Sequence, residues 1–177
     1  KWVAYKNSAY SAVASQVHTV KPSTPVASQA GGTVVDATTS ITMSTSTSGC
    51  TIYYTLDGTT PDDTDNEYSS AITLTTLGAV TMKLVAKKNS VYSSVREYAF
   101  TVNPRTCTVA PTDGTILTTT DVTLACASGG VTLFYTVDGT TPDETDTQYV
   151  GAFNLSSGAI TVKARARAGS DPYYWGA

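Results

Sequence analysis

Side chains that commonly carry out catalysis are scarce in this sequence. His18 is the only histidine among 177 residues, and charged residues make up 14% of the chain. No serine or cysteine has an obvious basic partner, so a nucleophilic triad is unsupported. Closely spaced carboxylates occur only in turns where water would keep them ionised, whereas a glycosidase needs one carboxyl group held protonated in a cleft. We therefore predict that the chain has no catalytic residues and is not an enzyme.

Long apolar runs and an excess of basic residues are also missing. The net charge is −3 and the isoelectric point is about 4.9, so the chain offers no basic face to a phosphate backbone. No stretch approaches the ~20 consecutive apolar residues that a membrane helix needs. We expect neither nucleic-acid binding nor membrane insertion.

Threonine and serine, by contrast, are abundant, at 33 and 18 residues. Threonine favours strands because its branched β-carbon suits a pleated surface. Short runs of alternating apolar residues, such as Ile41 with Met43 and Ile52 with Tyr54, are separated by turn signals. This pattern predicts an all-β fold built from small β sandwiches.

Internal repeats divide the chain. The segment 54–62, Tyr-Thr-Leu-Asp-Gly-Thr-Thr-Pro-Asp, recurs with one substitution at 135–143, which is 81 positions later. Residues 83–90 have a relative at 1–8, which is 82 positions earlier. A period of this length, with one small domain per repeat, indicates a row of separate domains rather than a thin solenoid.

The repeats differ in how complete they are. We predict three parts: residues 1–20 match the end of a preceding repeat, 21–103 form a complete β-sandwich repeat, and 104–177 form a second repeat that lacks its last strand. The segment from Ala12 to Val20 matches the final strand of the complete repeat, whereas nothing in the second repeat corresponds to Arg96–Val102.

This mismatch suggests a mode of assembly. A sandwich missing an edge strand exposes an apolar groove and unpaired backbone groups, which a free strand of a neighbouring copy could fill. Head-to-tail filament growth would follow. The residues predicted to form this assembly strand are Ala12, Val13, Val17, His18 and Val20. The alternative is that the chain is a piece of a longer array whose missing strand lies outside it.

The repeated turn points to a family. Its glycine can adopt positive φ and its proline fixes the exit of the chain. Taken with Tyr68, Tyr149 and the later strand 80–86, the turn 57–61 resembles the chitobiase/β-hexosaminidase C-terminal domain. The resemblance covers nearly the whole chain. It implies tandem immunoglobulin-like β-sandwich domains, of a type that is a non-catalytic repeat in secreted and surface proteins.

An acidic cluster follows each copy of the turn. Carboxylates close together on a loop could provide the oxygen ligands that calcium prefers, and calcium would stiffen an extracellular array. The candidate ligands are Asp62, Asp63, Asp65, Asp143 and Asp146, although the ligand order of an EF-hand is missing. The alternative is a solvated turn in which the aspartates cap local backbone groups. We predict no other cofactor.

The second repeat contains two of the three cysteines. Cys107 opens this repeat and Cys126 lies in its next predicted strand, so the two could form a disulfide, which would imply an oxidising compartment. The alternative is a pair of buried thiols. Cys50 is the unpaired cysteine and precedes a strand.

Sugars could be bound or attached at a few positions. Trp175, Tyr173 and Tyr174 are candidates for stacking on carbohydrate, although such rings are more commonly buried in a core or an interface. Asn154-Leu155-Ser156 is an N-glycosylation sequon.

These observations together predict a structural protein at the cell surface or outside the cell. We expect repeat units of a filament or of an adhesin stalk, with copies of the chain as partners. The alternative function is a non-catalytic carbohydrate-binding module that accompanies a secreted enzyme or an adhesin, with glycans as partners.

Overall fold

The computed structural model describes residues 1–3, 5–6, 9–169 and 174–176, and all regular secondary structure in them is β. None of these residues belongs to a helix long and apolar enough to cross a membrane. Two strands precede the first repeat: β1 (Tyr5–Lys6) and β2 (Ala9–Tyr10). The first repeat contains β3 (Val26–Ala27), β4 (Val34–Asp36), β5 (Ser40–Ile41), β6 (Met43–Ser44), β7 (Thr51–Thr55), β8 (Asn66–Glu67), β9 (Ile72–Thr73), β10 (Gly78–Lys88), β11 (Val91–Tyr92) and β12 (Arg96–Asn103). The second repeat contains β13 (Cys107–Ala110), β14 (Thr123–Cys126), β15 (Thr132–Thr136), β16 (Thr147–Gln148), β17 (Lys163–Ala168) and β18 (Tyr174–Trp175).

The first repeat is a two-layered sandwich. Its main sheet has the strand order β4-β12-β10-β7-β8, and β11 also pairs with β10. The short pairs β3-β6 and β5-β9 form the opposite layer. The core is built from both layers, with Ile41 and Met43 from one and Met82, Leu84 and Phe100 from the other. The prediction of an immunoglobulin-like β sandwich is therefore confirmed.

Strand β12 lies inside the main sheet of this repeat. It pairs antiparallel with β10 over seven residue pairs and parallel with β4 over three. Because side chains alternate along a strand, Tyr98, Phe100 and Val102 face the core while Glu97 and Ala99 are exposed. The expectation that the final strand is an edge strand is thus wrong, since its place lies between two other strands.

The second repeat keeps most of this layout. Its main sheet has the order β16-β15-β17-β18, and β13-β14 belongs to the opposite layer. A bridge between Val122 and Phe153 stands where the first repeat has β5-β9. In the described part of the repeat no strand corresponds to β4 or β12. Because β4 pairs only with β12 in the first repeat, the loss of one strand explains the loss of the other.

The repeated turn has the same hydrogen bonds in both repeats. Asp57 Oδ1 accepts hydrogen bonds from the backbone nitrogen and the hydroxyl of Thr59 at 3.0 and 2.6 Å. Asp138 Oδ1 accepts the same bonds from Thr140 at 3.0 and 2.6 Å. Gly58, the central residue of the first turn, has a φ of +82°, and Gly139 in the second turn has a φ of +83°. This conformation favours glycine. The motif therefore fixes the turn locally, before any long-range contact.

The N-terminal hairpin repeats the register of β10 with β11 and β12. The pairs in the hairpin are Tyr5↔Tyr10, Lys6↔Ala9 and the isolated bridge Trp2↔Ala14. The pairs 82 positions later are Lys87↔Tyr92, Lys88↔Val91 and Leu84↔Arg96. The residues that follow Ala14 are therefore in line with β12. The domain boundaries at residues 20 and 103 stay predictions.

Two leucines at corresponding positions test how closed each core is. Leu74 is 2% exposed, whereas Leu155 is only half-buried. We expect Leu74→Ala to lower the free energy of unfolding of the first repeat by about 2–5 kcal/mol, the range for a buried leucine. Leu155→Ala should cost the second repeat roughly half as much or less, because part of this side chain already contacts water. Chemical denaturation with hydrogen exchange resolved for each repeat measures both losses, and equal losses would contradict the difference in burial.

Candidate functional site

An open groove runs along the second repeat where β12 fills the corresponding space in the first. The groove has a volume of about 790 Å³. Its apolar lining is formed by Val109, Ile116, Leu117, Leu155, Ile160 and Val162. We call this groove the slot.

Side chains around the slot are more exposed than their counterparts in the first repeat. Ile116 is half-buried, whereas its counterpart Val35, 81 positions earlier, is 5% exposed. Val162 is half-buried, whereas its counterpart Met82 is fully buried. Full burial of one such side chain is worth about 1.5–3 kcal/mol. The slot therefore consists of core positions that lack their covering strand.

Two stretches of backbone line opposite sides of the slot. Residues 158–162 correspond to the start of β10, and residues 116–117 correspond to part of β4. In the first repeat both of these strands pair with β12. In the described part of the second repeat no strand pairs with either stretch from the slot side. Backbone N–H and C=O groups in such a position form a template for an added strand.

The predicted assembly segment is exposed along its whole length. All of its predicted residues lie at the surface: Ala12, Val13, Val17, His18 and Val20. Val17 is 95% exposed and Val20 is 84% exposed. Several exposed apolar side chains close together commonly mark an interaction surface. The chain thus has an open slot in one repeat and an exposed segment matching the strand that would fill it.

Comparison with known families agrees with the repeat motif. The model of the chitobiase/beta-hexosaminidase C-terminal domain matches residues 29–96 and 111–172, which is one segment in each repeat. The chain belongs to this family. No curated protein matches the chain. The family is a non-catalytic, immunoglobulin-like C-terminal domain of hexosaminidases, so the prediction of tandem domains of this type is confirmed.

The acidic turn of each family domain is held by its own hydrogen bonds. Asp62 Oδ1 accepts bonds from the backbone nitrogen and the hydroxyl of Thr64 at 2.8 and 2.7 Å. The backbone nitrogen of Asp62 donates to Asp65 Oδ2 at 2.9 Å. In the second domain Asp143 makes the corresponding bonds at 2.8, 2.7 and 2.8 Å. The bond from the Thr64 hydroxyl lowers the pKa of Asp62.

Calcium binding at these turns stays a prediction. Within residues 1–3, 5–6, 9–169 and 174–176, no three His, Cys, Asp or Glu side chains are grouped so that they could hold a metal ion. The candidate ligands are Asp62, Asp63, Asp65, Asp143 and Asp146. The hydrogen bonds within these turns agree instead with solvated turns in which the aspartates cap local backbone groups.

A salt bridge fastens each acidic turn to the long strand of its domain. Lys87 pairs with Asp63, and the hydroxyl of Tyr92 donates to Asp63 Oδ1 at 2.7 Å. In the second domain Arg167 Nη1 lies 3.9 Å from Glu144 Oε2. These two salt bridges were not predicted from the sequence. The sequence contains a signal for them, because both the cation and the anion change between the domains while their charges are kept.

Titration of Asp63 tests this contact. The hydrogen bond from Lys87, followed by that from Tyr92, lowers the pKa of Asp63 to about 2. Because the ordinary pKa of aspartate is about 3.9, the contact stabilises the fold above that pH, and its contribution is lost as the pH falls through about 2. Lys87→Met should raise the pKa of Asp63 towards the ordinary value, as read from the NMR shift of its carboxyl carbon.

The neighbouring lysine provides the control. Lys88 donates instead to the carbonyl oxygen of Ser48, so Lys88→Met should leave the pKa of Asp63 unchanged. If Lys87→Met also left that pKa near its native value, the assignment of the shift to Lys87 would be wrong.

The two cysteines of the second domain face each other across neighbouring strands. Cys107 and Cys126 are directly paired in the register of β13 and β14, and both are free thiols. The Cys126 thiol donates to the carbonyl oxygen of Arg105 at 3.2 Å. Burial, followed by the neighbouring Cys126, raises the pKa of Cys107 to about 12. A disulfide between them stays a prediction. Cys50 is a half-buried free thiol.

The described C-terminal aromatic side chains pack within the chain. The Trp175 ring lies 5.8 Å from the Phe134 ring, and the Arg165 guanidinium lies 4.9 Å from Trp175. Tyr174 contacts the first domain so closely that an added Cβ on Gly78 would lie 2.9 Å from Tyr174 Cε2. Tyr173 lies outside the described residues. Sugar stacking by Trp175, Tyr173 and Tyr174 stays a prediction, and two of these rings already serve packing.

The glycosylation sequon lies at the surface beside the slot. The Asn154 side-chain nitrogen donates to the carbonyl oxygen of Thr120 at 3.0 Å and to Asp121 Oδ1 at 3.2 Å. A glycan on Asn154 would replace one of the two hydrogens that make these bonds. Glycosylation at this position stays a prediction.

Sequence analysis predicted that a groove exists but did not identify the residues that line it. Ile116 was missed because its segment carries no strand pattern of its own. Its alignment with Val35 in the complete repeat was the signal that could have found it.

Proposed function

We propose that this chain is a non-catalytic structural unit of an extracellular or cell-surface filament or stalk. In this proposal copies assemble head to tail, and residues 15–20, the end of the assembly segment 12–20, fill the slot of the next copy. The observation that carries the proposal is that two matching features, an open slot and an exposed segment, occur in one chain. The slot is lined by the counterparts of the two strands that flank β12, and the exposed segment continues a hairpin with the register of β10 and β12.

The incoming segment would complete the main sheet from both sides. It would pair antiparallel with residues 158–163, as β12 pairs with β10, and parallel with residues 116–117, as β12 pairs with β4. Ile116, which is half-buried in the free chain, would then be covered as Val35 is in the first domain. Main-chain hydrogen bonds would supply affinity, and the alternating side chains would supply specificity.

The hairpin that precedes the incoming segment must turn away from the recipient. Strand β18 of the recipient pairs with β17 at Arg167↔Trp175, as β11 pairs with β10 at Lys87↔Tyr92. Otherwise strand β2 of the incoming copy, which corresponds to β11, would occupy the position beside β17 that β18 already holds. Insertion therefore involves residues 15–20, and the hairpin at 1–14 remains outside the slot.

The family supports the other parts of the proposal. A domain that is non-catalytic in hexosaminidases is suited to spacing and display, and its occurrence in secreted glycosidases favours an extracellular site. The acidic side chains that could serve hydrolysis are engaged in their own turns. These points favour a structural role over an enzymatic one.

A carbohydrate-binding accessory module is the second candidate. The family name supports it, and Trp2 and Tyr10 are exposed aromatic side chains, at 85% and 76%. Both lie on the N-terminal hairpin, outside the segment that would enter the slot. Binding of chito-oligosaccharides, with NMR shifts at Trp2 and Tyr10, would favour this function.

Two substitutions on opposite faces of the assembly segment test the strand exchange. Val20 corresponds to Val102, which is fully buried, and Val17 corresponds to Ala99, which is exposed. We expect Val20→Asp to raise the critical concentration for assembly by about 100-fold or more, because it would bury an unpaired carboxylate. Val17→Asp should change it by roughly twofold, as surface substitutions do. Sedimentation of the full chain over a concentration series measures both values.

The two valines are a matched pair because both are exposed before assembly, so neither substitution should affect folding of the free chain. Equal effects of the two substitutions would contradict insertion as a strand. Assembly that neither substitution affects would mean that another segment fills the slot, such as residues that follow 177 in a longer chain. Absence of any assembly by the native chain would also contradict the proposal.

A further inference from the structure

We infer that the slot selects its strand through a contact between Asp113 of the recipient and Gln16 of the incoming segment. The partner is a second copy of this chain, and the inference rests on the strand exchange proposed above. It adds a specificity-determining pair that distinguishes the segment 15–20 from a strand like β12.

The register of the incoming segment follows from matched pairs in the two domains. Lys163 pairs with Thr136 as Lys83 pairs with Thr55, so β17 and the residues before it lie 80 positions after β10. The assembly segment lies 82 positions before β12. The pairs in the first domain are Met82↔Tyr98, Val80↔Phe100 and Gly78↔Val102. The corresponding pairs across copies are Val162↔Gln16, Ile160↔His18 and Gly158↔Val20.

Asp113 occupies the position that faces Gln16 in this register. Its counterpart in the first domain is Gly31, because Asp113-Gly114-Thr115 aligns with Gly31-Gly32-Thr33 ahead of a one-residue deletion that precedes Ile116. The glycines that follow, Gly32 and Gly114, both have positive φ, at +82° and +144°. A Cβ added to Gly31 would lie 3.6 Å from Tyr98 Cδ1 and 3.7 Å from Tyr98 Cα. A side chain at this position therefore contacts the residue at the Tyr98 position of the neighbouring strand.

The two domains place different side chains at this contact. The first domain combines a glycine with a tyrosine, whose hydroxyl accepts a hydrogen bond from the backbone nitrogen of Ala27 at 2.9 Å. The second domain offers a carboxylate, and Asp113 is the one ionisable residue among the described residues that line the slot. A glutamine side-chain amide can donate to a carboxylate, and such charge-assisted bonds are stronger than neutral ones.

Asp113 also disfavours a strand with tyrosine at this position. The first domain has no side chain beside Tyr98 because Gly31 stands there, whereas Asp113 brings a carboxylate to the corresponding position in the second. A tyrosine would press on the carboxylate and remove it from water without offering a donor at the right place. Specificity of this kind combines an attractive contact for one partner with a repulsive one for another.

A double-mutant cycle in the full chain tests this contact. Gln16→Tyr with Asp113→Gly recreates the combination found in the first domain. We expect each single substitution to raise the critical concentration for assembly by about tenfold or more, and the double substitution to return it to within about threefold of the native value. Both residues are exposed, so unchanged unfolding curves of the unassembled variants serve as the folding control.

The outcomes separate this inference from the proposed function. A restored double variant supports the contact. If the native chain assembles and Val20→Asp blocks it, but the two single effects simply add, then strand exchange stands and the contact between Gln16 and Asp113 is wrong. The same conclusion follows if neither single substitution changes assembly. If the native chain does not assemble at all, the proposed function itself fails.

Discussion

The pairing of β12 with both β10 and β4 is the interaction on which a domain of this type depends. One strand joins two others and covers the core with Tyr98, Phe100 and Val102. The second domain shows the consequence of its absence. The counterpart of β4 is not a strand, Ile116 is half-buried where Val35 is buried, and a groove of about 790 Å³ remains. An empty interior strand position leaves unpaired backbone N–H and C=O groups on two neighbouring strands, whereas a sheet edge leaves them on one. A strand that fills an interior position can therefore form more backbone hydrogen bonds than one added at an edge.

The rest of the second domain does not depend on that strand, and it closely matches the first. The Asx turns have the same hydrogen-bond lengths, and each acidic turn is tied to the long strand by a salt bridge. Local turns and neighbouring strand pairs thus form without the final strand.

Much of the fold could be predicted from the sequence because its signals are local. The repeated turn 57–61 identified the family, and alternation in β10 and β12 indicated a sandwich. The position of β12 inside the sheet could not be predicted, because strand order depends on long-range pairing that alternation does not encode. The roles of Lys87 and Asp113 depend on contacts between segments far apart in sequence, and only comparison of the two repeats could have suggested them.

The central claim is that the interior strand of the second domain comes from another copy. Electron microscopy of assembled native material at side-chain resolution tests this most directly. The account predicts residues 15–20 of one copy between residues 158–163 and 116–117 of the next, with Val20 facing inward and Val17 outward. A slot filled by residues that continue from the same chain, or copies that contact each other elsewhere and leave the slot empty, would contradict it.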